Sequence, residues 1–174
     1  MGKMPIRPTG CESPFAEDEI IVTKTDSKGI ITYANETFLR VSRLHIREAL
    51  GKPHNIIRHP DMPRCVFKLL WDTLKSGSEM FAYVLNMASN GDHYWVLAHV
   101  TPSFDDRGGV VGYHSMRRKP SARQIEAVSA LYRLLLEEER ATTDRALGMQ
   151  RSHDRLFSTL RSKGVGYDEF VFSL

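Results

Sequence analysis

His54-Asn55-Ile56-Ile57-Arg58-His59-Pro60-Asp61-Met62-Pro63 divides the chain into two regimes. Pro60 and Pro63 keep the backbone out of regular helix through this stretch. Beyond Pro63 the apolar residues change period. Val66, Phe67, Leu70, Trp71 and Leu74 fall at helical spacing, and Gly77 closes the run. Asp61 is placed to cap that helix, and Pro63 suits its first turn, where a missing N–H does no harm. A guanidinium, two imidazoles and a carboxylate therefore stand at the mouth of an apolar segment. Groups so placed either cap a helix or hold a polar ligand against an apolar interior.

On the N-terminal side, Asn35 suits the N-cap of a short helix, and residues 46–50 form another, closed by Gly51 with Pro53 following. Before them, residues 19–26 are β-rich and stop at Ser27-Lys28-Gly29, and residues 30–34 restart the strand pattern as a hairpin. On the C-terminal side, Met80 to Met87 and His93 to Pro102 flank Ser89-Asn90-Gly91-Asp92, a strong hairpin turn. Val110 to Met116 follows Asp105-Asp106-Arg107-Gly108-Gly109. The order β-β-α-α-α-β-β-β predicts an α+β fold, a five-stranded antiparallel sheet with helices on one face.

The flanks differ in character. Residues 1–18, rich in Pro, Gly and Ser, read as an irregular arm. Past Pro120, Ser121 and Gln124 form a capping box, and Ile125, Val128, Leu131, Tyr132 and Leu135 make an amphipathic stripe. Glu137-Glu138-Glu139-Arg140 breaks any coiled-coil seam. After Gly148, His153, Leu156, Phe157 and Leu160 predict a second amphipathic helix, and the apolar residues of 164–174 suit docking.

Composition narrows the function. The chain has 174 residues, 41% hydrophobic and 26% charged, with a net charge of +3 spread among both signs. That balance fits a soluble globular protein and gives no footprint for nucleic acid. Cys11 and Cys65 stand in no ligand spacing, Cys65 reading as a small core residue, which suits a reducing cytoplasm. No run approaches the ~20 apolar residues that cross a bilayer. Met1-Gly2-Lys3-Met4-Pro5-Ile6 carries neither an apolar signal core nor the hydroxyl residue of a myristoylation motif. The expected location is cytoplasmic. Metal motifs such as H-E-x-x-H or C-x-x-C are lacking, as are G-x-S-x-G and P-loop motifs, so no metal site and no enzyme activity are expected.

The residues carry a resemblance. Asp26-x-x-Gly29-x-Ile31-x-Tyr33-x-Asn35 is followed by Gly51-x-Pro53-His54-Asn55-x-x-Arg58-His59-Pro60-Asp61-Met62-Pro63 and Trp71-x-Thr73-Leu74-Lys75-x-Gly77. Asn90-Gly91-Asp92-His93-Tyr94-Trp95-Val96 and Gly112-Tyr113-x-Ser115-x-Arg117 complete the set. Together they closely resemble the PAS domains of bacterial aerotaxis receptors across residues 19–120. With the flanks read above, the expected division is an N-terminal arm at 1–18, a PAS sensor domain at 19–119 and a C-terminal helical extension at 120–174. The resemblance implies FAD held non-covalently between helices and sheet, its redox state reported to a chemotaxis-type partner. Carried over by position, the flavin-pocket residues are Asn35, Arg58, His59, Asp61, Trp71 and Asn86.

Two departures from the family stand out. Met80 replaces a usual Trp, with Phe81-Ala82 where the family has a small Ser-Gly pair, and no membrane span or long signalling coiled coil follows. A stand-alone sensor is implied, signalling to a receptor-like protein, with a homodimer through the arm or the C-terminal helices as a further expectation. Two alternatives stay open from the residues: a haem-binding PAS gas sensor with His54 or His59 as axial ligand, and a cofactor-free interaction module. Locally, Asp61 reads equally as a helix cap, Asn35 as another, and Trp71 as core beside Phe67 and Leu74. Asn86 shares a strand face with Val84, and a buried carboxamide there needs partners.

Overall fold

A computed structural model describes residues 6–174; Met1 to Pro5, the start of the arm, lie outside the described residues. Strands β1 (Ile21–Asp26) and β2 (Ile31–Ala34) form the first hairpin. Its turn is tied by Asp26, whose Oδ1 accepts the N–H groups of Lys28 and Ile30 at 2.9 Å each, while Gly29 adopts φ +79°. Helices α1 (Glu36–Ser42), α2 (Ile46–Ala49) and α3 (Arg64–Lys75) follow, with a 3₁₀ turn over His54–Ile57. Strands β3 (Met80–Met87), β4 (His93–Phe104) and β5 (Val110–Arg118) come next. Three helices end the chain, α4 (Ala122–Arg140), α5 (Arg145–Ser162) and α6 (Tyr167–Ser173). All strand pairs are antiparallel in the order β2-β1-β5-β4-β3, so the first and last strands lie side by side.

Register assigns the two faces. Met80, Ala82, Val84 and Asn86 pair with Val100, Ala98, Val96 and Tyr94, and β5 and β1 add Arg117 and Ser115 beside Ile21 and Thr23. This inner face meets α1–α3, burying Ile31, Phe38, Val41, Ile57, Cys65 and Val66 in one core. Phe81, Tyr83 and Leu85 point the other way with His99, Leu97 and Trp95.

The C-terminal helices cover that opposite face near β3. Tyr132 packs beside Trp95 and donates its hydroxyl to the Tyr83 carbonyl at 2.6 Å. Tyr83 in turn donates to the Val171 carbonyl at 3.3 Å, and Phe172 meets Phe81 edge-on. Helices therefore lie on both faces, beyond the single layer expected for the five-stranded unit. The α4 stripe that suited a dimer or partner is turned inward: Val128, Leu131, Tyr132 and Leu135 are buried in the chain's own core.

Other boundaries moved for physical reasons. Helix α5 starts at Arg145, before Gly148 rather than after it, because Asp144 caps it by accepting the N–H groups of Ala146 and Leu147. Gly148 sits inside the helix where α5 crosses α4, and a Cβ there would lie 2.7 Å from the Glu139 carbonyl oxygen. The apolar tail forms α6, with Phe170 and Val171 buried. Strands β4 and β5 each run two residues past the expected ends. The arm is irregular but docked: Ser13 donates its N–H to His93 O at 2.8 Å and its hydroxyl to Val41 O at 2.7 Å. Among the described residues, no helix is long and apolar enough to cross a membrane.

Candidate functional site

The expected cap of α3 is not Asp61. Pro63, extended at ψ 133°, occupies the N-cap position and makes no side-chain bond. The carboxylate comes instead from Glu139 at the far end of α4. Its Oε1 accepts the Cys65 N–H at 3.1 Å and its Oε2 accepts from Arg64 Nε at 2.9 Å. Unpaired N–H groups and the helix dipole favour an anion at this position, and tertiary packing supplies one that the local sequence lacks. Asp61 is exposed and accepts from Arg140 Nη2 at 2.6 Å.

His59 and Arg58 turn toward the protein. His59 is buried, and its Nδ1 accepts the Asp61 N–H at 3.0 Å, which assigns the ring proton to Nε2. Burial lowers its pKa, the Asp61 carboxylate at 4.0 Å opposing weakly, so the ring is neutral at neutral pH. The Arg58 guanidinium lies 4.3 Å over the Phe67 ring, and its buried Nη2 has no partner among the described residues. Its backbone bridges to Asn86.

A polar belt crosses the inner face of the sheet. Asn86 is buried with Nδ2 unpartnered, and so are the Tyr94 hydroxyl across from it and the Ser115 hydroxyl. Arg117 is buried; its Nη2 donates to Thr23 Oγ1 at 2.9 Å and to His54 Nε2 at 2.7 Å, while Nη1 has no partner. No carboxylate among the described residues pairs with it. Burial pulls the Arg117 pKa down to about 10, and burial with the adjacent guanidinium holds His54 down at about 3. The belt is thus a buried cation, a neutral imidazole and several neutral groups in need of partners.

Buried polar atoms almost always find partners, because leaving one unmatched costs about 1–3 kcal/mol. Here the unmatched atoms are mostly donors gathered on one wall: Asn86 Nδ2, Arg117 Nη1 and two hydroxyls. That set fits an acceptor-rich planar group such as the carbonyl and ring-nitrogen edge of a flavin. It suits a haem iron poorly at His54, whose Nε2 already faces a guanidinium. Among the described residues, no group of three or more His, Cys, Asp or Glu is arranged to hold a metal ion.

The six residues carried over by position divide. Arg58, His59 and Asn86 converge at one contact between the Pro-framed segment and β3. Trp71 is half-buried, edge-on to Tyr113 at 5.2 Å and 3.2 Å from where a Gly29 Cβ would lie. Asn35 has its side chain engaged locally: Oδ1 accepts the N–H groups of Val22 and Phe38 at 3.0 Å each, and Nδ2 donates to Ile20 O at 2.8 Å. Asp61 faces outward. Sequence reasoning missed Tyr94, Ser115 and Arg117 as site residues and weighed His54 only as a haem ligand. The available signal was parity, since Arg117 shares its strand face with Tyr113 and Ser115, next to Ala98 of the core.

Beside Arg58 and His59 a cleft of about 690 Å³ runs to Arg64, Glu139, Arg140 and Arg145. Leu136, Glu139, Arg140, Thr142 and Arg145, from α4, α5 and the loop between them, supply part of its wall.

Comparison with known proteins bears on the same segments. Residues 31–117 match the PAS fold family. The chain is 42% identical over 123 residues to an aerotaxis receptor of Escherichia coli, covering 71% of this chain and 24% of that protein. It is 26% identical over 99 residues to a nitrogen fixation regulatory protein of Klebsiella pneumoniae, covering 57% and 20%. It thus spans a quarter or less of the length of these curated relatives. Among solved structures, the dark structure of the blue-light photoreceptor Aureochrome1 LOV superposes with a TM-score of 0.57 at 23% identity, over 66% of this chain and 85% of that one. A PAS domain from Colwellia psychrerythraea gives 0.54 at 16%, over 58% and 86%. At these identities the structural likeness speaks for fold alone.

Proposed function

The chain belongs to the PAS fold family, and from that premise we propose that it is a cytoplasmic redox sensor of the aerotaxis type, holding FAD between α1–α3 and the inner face of the sheet. The observation that carries this reading is the belt of unpartnered buried donors around Arg117 and Asn86. The likeness to an aerotaxis receptor across 71% of the chain supports the same cofactor class.

Bound flavin would supply a ring whose charge and hydrogen-bonding demands change with its oxidation state. The protein's part is positional. Asn86 Nδ2, Tyr94 OH and Arg117 Nη1 would offer donors, Arg117 adding a fixed positive charge where water is excluded. His54, held neutral, keeps that guanidinium aimed across the sheet. His59 presents Nε2–H from the segment opposite, where Arg58 bridges to Asn86 through its backbone. Trp71 closes the far end against Tyr113.

Output would follow the contacts already described. Asn86 is bridged to Arg58, the same segment is tied through Asp61 to Arg140, and α3 is capped by Glu139. A change in what Asn86 bonds would thereby bias the seating of α4, the element best placed to address a receptor-like partner.

Absorption spectra of the purified full chain before and after dithionite test the reading. Flavin bands that bleach are expected, with roughly one FAD released per chain on heating. Arg58→Ala and Asn86→Ala are expected to lower that occupancy. A Soret band, a colourless protein unaffected by added FAD, or full occupancy in both variants would overturn it.

A further inference from the structure

We propose that the cleft between the Arg58–Arg64 segment and helices α4–α5 is a nucleotide-phosphate site, taking the adenosine diphosphate arm of a dinucleotide. The identification of that arm as part of FAD rests on the proposed function; the class of ligand rests on the cleft.

Charge comes first. Arg58, Arg64, Arg140 and Arg145 line the cleft against a single lining carboxylate, Glu139. Arg64 is matched by Glu139 and Arg140 by Asp61, but Arg145 has no ion-pair partner among the described residues and Arg58 keeps a buried Nη2 unpartnered. Two guanidiniums without acid partners thus share one concavity, the planar donor arrangement suited to phosphate oxygens. The apolar part of the lining comes from Ile6, Met62, Met87 and Leu136. Two thioethers among them offer a purine ring polarizable, adaptable contacts.

Size and position agree. The volume of about 690 Å³ falls inside the range of roughly 300–1,000 Å³ common to small-molecule sites. Arg58 and His59 line the cleft on one side, and the Arg58 backbone bridges to Asn86 of the inner belt on the other. A ligand with a ring at the belt and a phosphate arm in the cleft would span that contact. Arg140 and Arg145 are supplied by the helices beyond Pro120, so this arm would select for the dinucleotide and hold the C-terminal helices to the body of the domain.

Calorimetric titration of the flavin-stripped full chain with FAD, FMN, riboflavin and ADP tests this against an Arg140→Gln/Arg145→Gln variant, with Arg145→Gln alone as the milder control. FAD should bind wild type more tightly than riboflavin, and the double variant should lose about tenfold or more of the FAD affinity while riboflavin affinity holds. ADP should bind on its own and compete with FAD. ADP binding without any flavin binding would uphold the cleft and defeat the flavin reading. Flavin binding with FAD and riboflavin equal, ADP inert and the double variant unaltered would overturn the cleft and leave the flavin reading standing.

Discussion

Replacing Glu139 by Ala strips the N-terminus of α3 of the side-chain acceptor at Cys65 and leaves Arg64 without its partner. Loss of a helix cap costs about 0.5–2 kcal/mol. Breaking a buried pair costs about 3–5 kcal/mol when the survivor stays buried. Arg64 keeps 23% of its side chain exposed, so its guanidinium regains water and the lower end applies. The expected loss is about 3 kcal/mol, which lowers the melting temperature by about 6–12 °C in a chain of this size. Glu139→Gln retains a carbonyl oxygen for the Cys65 N–H but gives up the charge and the acceptor for Arg64 Nε, so about 1–2 kcal/mol is expected. Arg64→Ala should cost about 3–5 kcal/mol, because the surviving carboxylate, 5% exposed, stays buried with a single N–H donor. Urea denaturation of the full chain, followed by circular dichroism, gives the three values. The reasoning is refuted if Ala lies within about 0.5 kcal/mol of wild type, the scatter of ordinary surface substitutions, or if Gln is as damaging as Ala.

His54 sets an acid limit. Its folded pKa, lowered to about 3 by burial and by Arg117, lies below the unfolded value of 6.5. Its share of stability is therefore complete above about pH 6.5 and is lost as pH falls toward 3. Between pH 7 and 5 that share amounts to about 2 kcal/mol, and the pH dependence of wild type minus that of His54→Gln should recover it; parallel curves would contradict the neutral, buried assignment. Gly148→Ala should destabilise by about 1–3 kcal/mol, because the added methyl meets the Glu139 carbonyl at 2.7 Å; an unchanged melting curve would show that α4 and α5 can separate freely. Thiol titration should find Cys11 reactive at pH 8 and Cys65 silent until denaturant is added, since Cys65 is buried and its thiol is pushed up to about 11. Two fast thiols in native protein would argue against the packing of α5 on α3.

What could be read in the sequence is what is encoded locally. The Asn90-Gly91 turn and the capping box of Ser121 with Gln124 are complete within a few residues, and both stand where they were expected. Asp61 looked like a cap because it precedes the apolar stripe, and nothing nearby in sequence announces that Glu139, more than seventy residues on, is the one that does it. The acidic run 137–139 was visible only as a break in a coiled-coil seam. Gly148 read as a stop because its role is tertiary, a close crossing of two helices. Within the site, Arg58, His59 and Asn86 were accessible through family likeness. Arg117 was accessible from strand alternation alone, yet its partners Thr23 and His54 reach it from separate elements.

Both margins of the sheet are blocked to newcomers. On one side Arg58 bridges to Asn86 and the Met62 sulfur accepts the Leu85 N–H, while on the other a four-residue strand is flanked by the bridge of Ile30 to Pro53. An exposed ladder of free amide and carbonyl groups invites cross-chain strand addition and fibre growth. Assembly of this protein is thereby steered away from β-augmentation, toward contacts made by side chains on helices and on the uncovered half of the sheet.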